Sequence, residues 1–144
     1  MLITREMDYA VRILRAVRAG EQLTSAQIAA REHIQPAVTY KLTKQLTRAG
    51  LLESRRGQTG GYLLHRPCSE LTLYDLFCAM EDPLLLTECL EPGYDCANNA
   101  CGVCGVHCEF ARIQSCLDAE LKRKTLEELF TPCPAQKPTD FKTI

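Results

Sequence analysis

Residues 89–110 read CLEPGYDCANNACGVCGVHCEF and hold five of the nine cysteines, Cys89, Cys96, Cys101, Cys104 and Cys108, together with His107. Thiolate and imidazole are the ligands of zinc and of iron–sulfur clusters, and a thiolate is also the group that oxidants attack first. The run CGVCGVHC contains the CxxC element of many zinc sites, but it has no second CxxC to complete the usual pair. On a helix, Cys104, His107 and Cys108 fall at i, i+3 and i+4 and share one face, so one metal could see all three. Packing explains the cluster poorly, because the stretch before Cys104 is turn-rich and carries no apolar periodicity. Three chemistries remain open: an iron–sulfur cluster, a zinc site and a metal-free thiol switch.

The remaining composition limits the setting. A hydrophobic content of 46% over 144 residues suits a packed core without staples. No apolar run approaches a membrane span, and MLITREMDYA lacks the basic and apolar regions of a secretory signal. The expectation is a soluble, cytoplasmic protein with no membrane partner, whose thiols stay reduced. The odd cysteine count also argues against a complete disulfide framework. The net charge of −1 hides an asymmetry: residues 1–66 carry 11 Lys+Arg against 5 Asp+Glu, and residues 67–144 carry 6 against 13. A basic N-terminal half is what a nucleic-acid surface needs.

The pattern of elements agrees with such a surface. Thr4 is placed to cap a helix over 4–19, with Met7, Ala10, Val11, Leu14 and Val17 inward, four arginines off that stripe and Gly20 at the end. Thr24 and Gln27 have capping-box spacing for a second helix that ends near Glu32. After HIQP, a third helix opens on Pro36 and closes at Gly50, with Val38, Leu42, Leu46 and Ala49 as its inner face. Two short helices around a tight turn describe a helix-turn-helix. LLESRRGQTGGYLLH then reads as a hairpin, with Gly57, Gly60 and Gly61 available for positive φ and Arg55 and Arg56 at the tip. A hairpin in that place is a wing, and arginine suits the strong negative potential of a narrow minor groove.

Thr72 caps a fourth helix with Leu73, Leu76, Phe77 and Met80 inward and Cys78 buried among them; Cys68 sits in the linker before it. Beyond the cysteine loop, Phe110, Ile113, Leu117 and Leu121 recur at helical spacing, a narrow stripe suited to pairing with a second copy. Lys122, Arg123 and Lys124 suit the negative end of that helix. Thr125 and Glu128 open a last short helix. The tail is proline-rich, and Cys133 within it is not a ligand candidate. The fold expected is mainly α with a small β-hairpin: a winged helix-turn-helix plus a long dimerisation helix. Its divisions are a DNA-binding domain at 1–82, a cysteine-rich sensor loop at 83–103, dimerisation and short C-terminal helices at 104–130, and a flexible tail at 131–144.

The segments ITREMDYAVRIL, IAAREHI, LTKQLTRAGLLESRRGQTGGYLL and LTLYDLFCAMED resemble the bacterial winged-helix transcription regulators of the IscR/NsrR/RirA/CymR family, and the resemblance covers residues 1–130. It implies a homodimer that binds palindromic double-stranded promoter DNA. It also implies, in some members, an iron–sulfur cluster that reads iron, redox state or nitric oxide. Carried over by position, Gln35, Ala37, Val38, Thr39, Tyr40 and Lys41 would face the major groove. Arg56 would reach the minor groove, and Lys44, Arg48 and Arg55 would contact phosphates. Tyr40 stands where the cluster-responsive members have glutamate, so their operator does not transfer. The ligands implied are Cys89, Cys96, Cys104 and His107, in a C-x6-C-x7-C-x2-H spacing longer than the family's usual loop. Cys101 competes for the middle position and Cys108 is a further substitute. Whether the cluster is of the 2Fe-2S or 4Fe-4S type stays open, and zinc is the alternative.

Other function classes fare worse. There is no glycine loop after a strand for a nucleotide, no carboxylate pair, and only three histidines. A Cys104–His107 nucleophile has the right residues, but a helix start is expected to offer no pocket. An electron carrier would have no use for a winged helix.

Overall fold

The computed structural model describes residues 4–57, 60–80, 84–97 and 103–132. Three N-terminal helices, α1 (Arg5–Ala16), α2 (Ser25–Glu32) and α3 (Pro36–Arg48), are followed by strands β1 (Leu52–Arg55) and β2 (Gly61–Leu64). Then come α4 (Leu73–Ala79), a single 3-10 turn at Glu88–Leu90, the long α5 (Gly105–Lys122) and the short α6 (Leu126–Phe130). This is the mainly helical winged-helix architecture expected, and no described helix is long and apolar enough to cross a membrane.

The caps do what the sequence predicts. The Thr4 hydroxyl accepts from the Met7 N–H at 3.2 Å, and complete capping boxes start α2 (Thr24/Gln27), α4 (Thr72/Asp75) and α6 (Thr125/Glu128). His33 ends α2 in the left-handed conformation at φ 53°, which turns the chain into α3 within three residues. A cross-helix clamp fixes that turn. Arg15 forms an ion pair with the buried Glu32 carboxylate through NH2, its Nε lies 3.3 Å from Glu32 Oε1, and Arg12 donates to the Glu32 carbonyl. A carboxylate at a helix C-terminus opposes the helix dipole, so these two guanidiniums stabilise what would otherwise be an unfavourable burial. Glu32 in turn raises the pKa of Arg15, chiefly through their hydrogen bond.

β1 and β2 pair antiparallel with Leu52 opposite Leu64 and Arg55 opposite Gly61. Leu23 adds a third rung, exchanging 2.7 and 3.0 Å backbone bonds with Tyr62. Of the wing glycines only Gly57 needs a positive φ, at 119°. Gly60 and Gly61 are required for space instead: a Cβ would lie 2.8 Å from the Arg55 carbonyl oxygen at Gly60 and 2.7 Å from that of Leu23 at Gly61.

The core gathers Ile13, Leu14, Val17, Ile28, Leu42, Leu46, Leu52, Leu71, Leu76 and Leu126, all 2% exposed or less. Each such side chain contributes about 1.5–3 kcal/mol on burial. Leu126 brings α6 into the winged-helix core, where its N–H donates to the Leu71 carbonyl at 2.7 Å and Thr125 bridges to Thr72. Cys78, expected to be buried in α4, is exposed, and Cys68 in the preceding linker is buried. Cys68 lies in a 3-10 turn against the core, so desolvation, helped by Glu127, pushes its thiol pKa up. Cys78 lies beside Tyr74 at a cleft that Gln114, Asp118 and Leu121 of α5 also line.

Candidate nucleic-acid interface and cysteine cavity

The first turns of α3 present Gln35, Ala37, Tyr40, Lys41 and Lys44 to solvent. Tyr40 is 50% exposed, and the Lys44 ammonium lies 4.4 Å from its ring centroid. Lys41 reaches back to Glu6 at 2.6 Å, a surface pair of small worth that a phosphate could displace. Gln35 caps the helix without a side-chain bond, and Pro36 supplies no N–H, so nothing obstructs the positive end of α3. Thr39 departs from the expectation. It is fully buried and its hydroxyl donates to the Gln35 carbonyl at 3.2 Å. Thr43 does the same toward Tyr40, so both threonines belong to the inner face and Thr39 has no free group for a groove. At the wing, Arg55 pairs with Glu53 at 3.1 Å, and Arg56 is exposed beside the turn.

The second feature lies at the start of α5. Cys89, on the 3-10 turn, Cys96, in the loop, and Cys104 and His107, at the cap and first turn of the helix, line one cavity of about 140 Å³. Tyr94, Val106 and Phe110 complete its wall. The expectation of no pocket at this helix start is therefore not met. Cys89 and Cys104 are half-buried free thiols, and the Thr87 hydroxyl lies 3.7 Å from the Cys89 sulfur. Cys108 is exposed and does not line the cavity, because one further residue of rotation past His107 carries it to the outer side of α5. Cys101 lies outside the described residues. No three described His, Cys, Asp or Glu side chains are gathered tightly enough to hold a single metal ion. The donors surround a space, not a point. Three thiols and one imidazole around a largely apolar space suit a multi-atom thiolate-bound group, since apolar walls shield such a group from water.

Beyond the cavity, Val103, Val106, Phe110 and Ile113 form an uncovered apolar stripe, with Phe110 and Ile113 each 38% exposed. Leu121, at the other end of α5, packs against the core.

A winged helix joined to a cysteine-lined helix start is matched by a known family. The profile of the Rrf2 family, described as iron-dependent transcriptional regulators, matches residues 3–132. The chain belongs to the Rrf2 family. This Rrf2 protein is a DNA-binding transcriptional regulator, and several of its relatives are named as transcriptional regulators. It is 34% identical to the protein aau3 of Rhizobium meliloti over 137 residues, which covers 93% of this chain and 88% of the relative. It is 35% identical to the transcriptional regulator IscR of Cereibacter sphaeroides over 46% of this chain and 44% of that one. Among solved structures it resembles CymR, the global cysteine regulator of B. subtilis, with a TM-score of 0.67 and 22% identity, covering 90% of this chain and 95% of that one. At that identity the likeness shows the Rrf2 fold alone.

Sequence reasoning missed Tyr94 and Val106 as cavity walls. Phe110 was legible only as part of the stripe, yet it also lines the cavity. Its place six residues after Cys104 was the available signal, because that is within two turns of a helix.

Proposed function

We propose that this Rrf2 regulator is a homodimer that binds palindromic promoter DNA and senses iron, redox state or nitric oxide through an iron–sulfur cluster held by Cys89, Cys96, Cys104 and His107. The carrying observation is that these four residues, drawn from three separate pieces of chain, line one cavity. A cluster bound there would supply iron–thiolate bonds sensitive to oxidants, to nitric oxide and to iron supply. The chain's own residues supply the rest. Cys89 and Cys96 fasten the loop to the first turn of α5 through the space they share with Cys104 and His107. Val106 and Phe110 face both this space and the apolar stripe, so a change in the loop reaches the surface on which a second copy would pair. Two copies of α3 must meet two half-sites at once, and a shift between them alters affinity. In this reading Gln35, Ala37, Tyr40 and Lys41 read the major groove, Arg56 enters the minor groove, and Lys44, Arg48 and Arg55 hold phosphates. Thr39 positions α3 from within.

The test is the visible spectrum of anaerobically purified protein, set beside iron, sulfide and zinc per chain. Wild type should be coloured and Cys104→Ala colourless. Colour that persists in Cys104→Ala would remove Cys104 from the ligand set, and stoichiometric zinc without iron would replace the cluster.

A further inference from the structure

We infer that Gln45 and Gln114 are positioning residues that transmit the state of the cysteine cavity to α3, an inference that rests on the sensing role proposed above. Each glutamine uses its carboxamide on the backbone of another element. Gln45 sits in the last turns of α3, half-buried. Its Nε2 donates to the Met80 carbonyl at 2.9 Å. Met80 is the C-cap of α4, and its carbonyl is one of the groups a helix end leaves without an intrahelical donor. A side chain of the DNA-facing helix thus caps the helix from which the cysteine loop departs.

Gln114 grips the other side of the same connection. Its Nε2 donates to the Leu84 carbonyl at 2.8 Å and to Asp118 Oδ1 at 2.8 Å, and its Oε1 accepts from the Leu86 N–H at 3.0 Å. The carbonyl of one residue and the N–H two residues on are the pair that a neighbouring parallel strand would engage. One carboxamide therefore holds residues 84–86 with the pair of bonds a strand would use, and it does so from α5. Gln114 lies seven residues after His107, which places both on one face of the helix. Three residues after Leu86 the chain supplies Cys89. Gln45 of α3 thus holds the end of α4, and Gln114 of α5 holds the chain at Leu84 and Leu86, with the cavity next on both loop and helix.

These bonds matter because they are few and specific. A donor or acceptor left unpaired in a half-buried place has a cost that a shifted neighbour must bear, so a shift of the loop biases both helices. Coupling is also reciprocal: if the cavity alters DNA affinity, DNA must alter the cavity.

The reciprocal arm gives the experiment. Alkylation of Cys89 and Cys104 by N-ethylmaleimide is followed by residue-resolved mass spectrometry on the full-length protein as purified. It is measured with and without a duplex that the wild type selects from a random-sequence pool. In wild type the duplex should change the rate at these two thiols by about fivefold or more, the lower end of ordinary coupling. Gln45→Met and Gln114→Met keep length and apolar volume but remove the bonds. Each should still bind the duplex, while the change in rate shrinks about fivefold, the worth of one hydrogen bond. Gln45→Lys keeps a donor of similar reach and should restore it. Should Gln45→Met fail to fold, Gln114→Met, placed outside the buried core, decides alone. A wild-type rate change that survives in a folded Gln114→Met overturns the inference and leaves the sensing role intact. No rate change in wild type itself likewise overturns the transmission, whereas the sensing role stands or falls on the visible spectrum and metal content.

Discussion

α1 and α5 are both amphipathic helices, yet they use their apolar residues in opposite ways. α1, with 12 residues, buries five of them in the core, whereas α5, with 18 residues, buries none fully. In the winged helix, α2, α3 and α4 surround α1, so its apolar surface is satisfied within the chain. α5 is held at its end by Leu121 and along one side by Gln114, while Val106, Phe110 and Ile113 stay open. One helix commits its apolar side to the fold of the domain, and the other keeps part of its apolar side exposed, where the proposed dimer would pair. A charged pair, Glu109 with Arg112 at 2.7 Å, lies beside the open stripe, as charged residues flank a helix-pairing seam.

That contrast can be broken from either side. On the folding side, Leu14→Ala removes a fully buried side chain of α1 and should lower the unfolding free energy by about 2–5 kcal/mol in urea titrations. On the meeting side, Ile113→Glu should leave helix content and urea midpoint of the isolated chain nearly unchanged. It should nonetheless convert the dimer proposed above to monomer by sedimentation. Binding to a palindromic duplex should fall about 100-fold, because the second half-site is no longer delivered at high local concentration. A dimer with wild-type DNA affinity in Ile113→Glu would mean that the stripe is not the pairing surface.

The two regions also differ in how much of them the sequence disclosed. Local rules located the caps at Thr4, Thr24, Thr72 and Thr125, the turn at His33 and the wing between Leu52 and Leu64, because each is decided within a few residues. What local spacing could not show was decided across the chain. Ile13 and Ala16 are buried because three helices close around α1, which widens its inner arc beyond one stripe. Arg12 and Arg15 counted toward a basic surface but are committed to Glu32, 20 and 17 residues away. Thr39 looked like a polar groove contact and is core, since a threonine hydroxyl can satisfy itself on the preceding turn. At the cysteine site the family resemblance named Cys89, Cys96, Cys104 and His107, and these four line one cavity. Neither that resemblance nor the spacing showed that Cys108 turns away or that the loop is threaded past Gln114.

The finest test concerns α6, which joins the two regions. Leu126 anchors it in the winged-helix core, and its capping box begins where α5 ends. The Glu128 carboxylate accepts from the Thr125 N–H at 2.8 Å and lies 3.1 Å from the Thr125 hydroxyl; these bonds hold its pKa below the ordinary carboxylate range, with Lys124 adding a smaller share. A folded-state pKa below the unfolded one means that the folded chain keeps Glu128 ionised where the unfolded chain has already taken up a proton. The box therefore adds its full stability above the unfolded pKa and loses it as pH falls through the lower, folded value. Thermal unfolding of wild type and Glu128→Ala should show a small difference in Tm at neutral pH, favouring wild type, that narrows steadily on acidification. Because Glu128 is exposed, the whole effect should also shrink in high salt. A difference that widened in acid would have the wrong sign for a carboxylate stabilised by its cap, and the joint between α5 and the winged helix would then depend on Leu126 and the Thr125–Thr72 bridge.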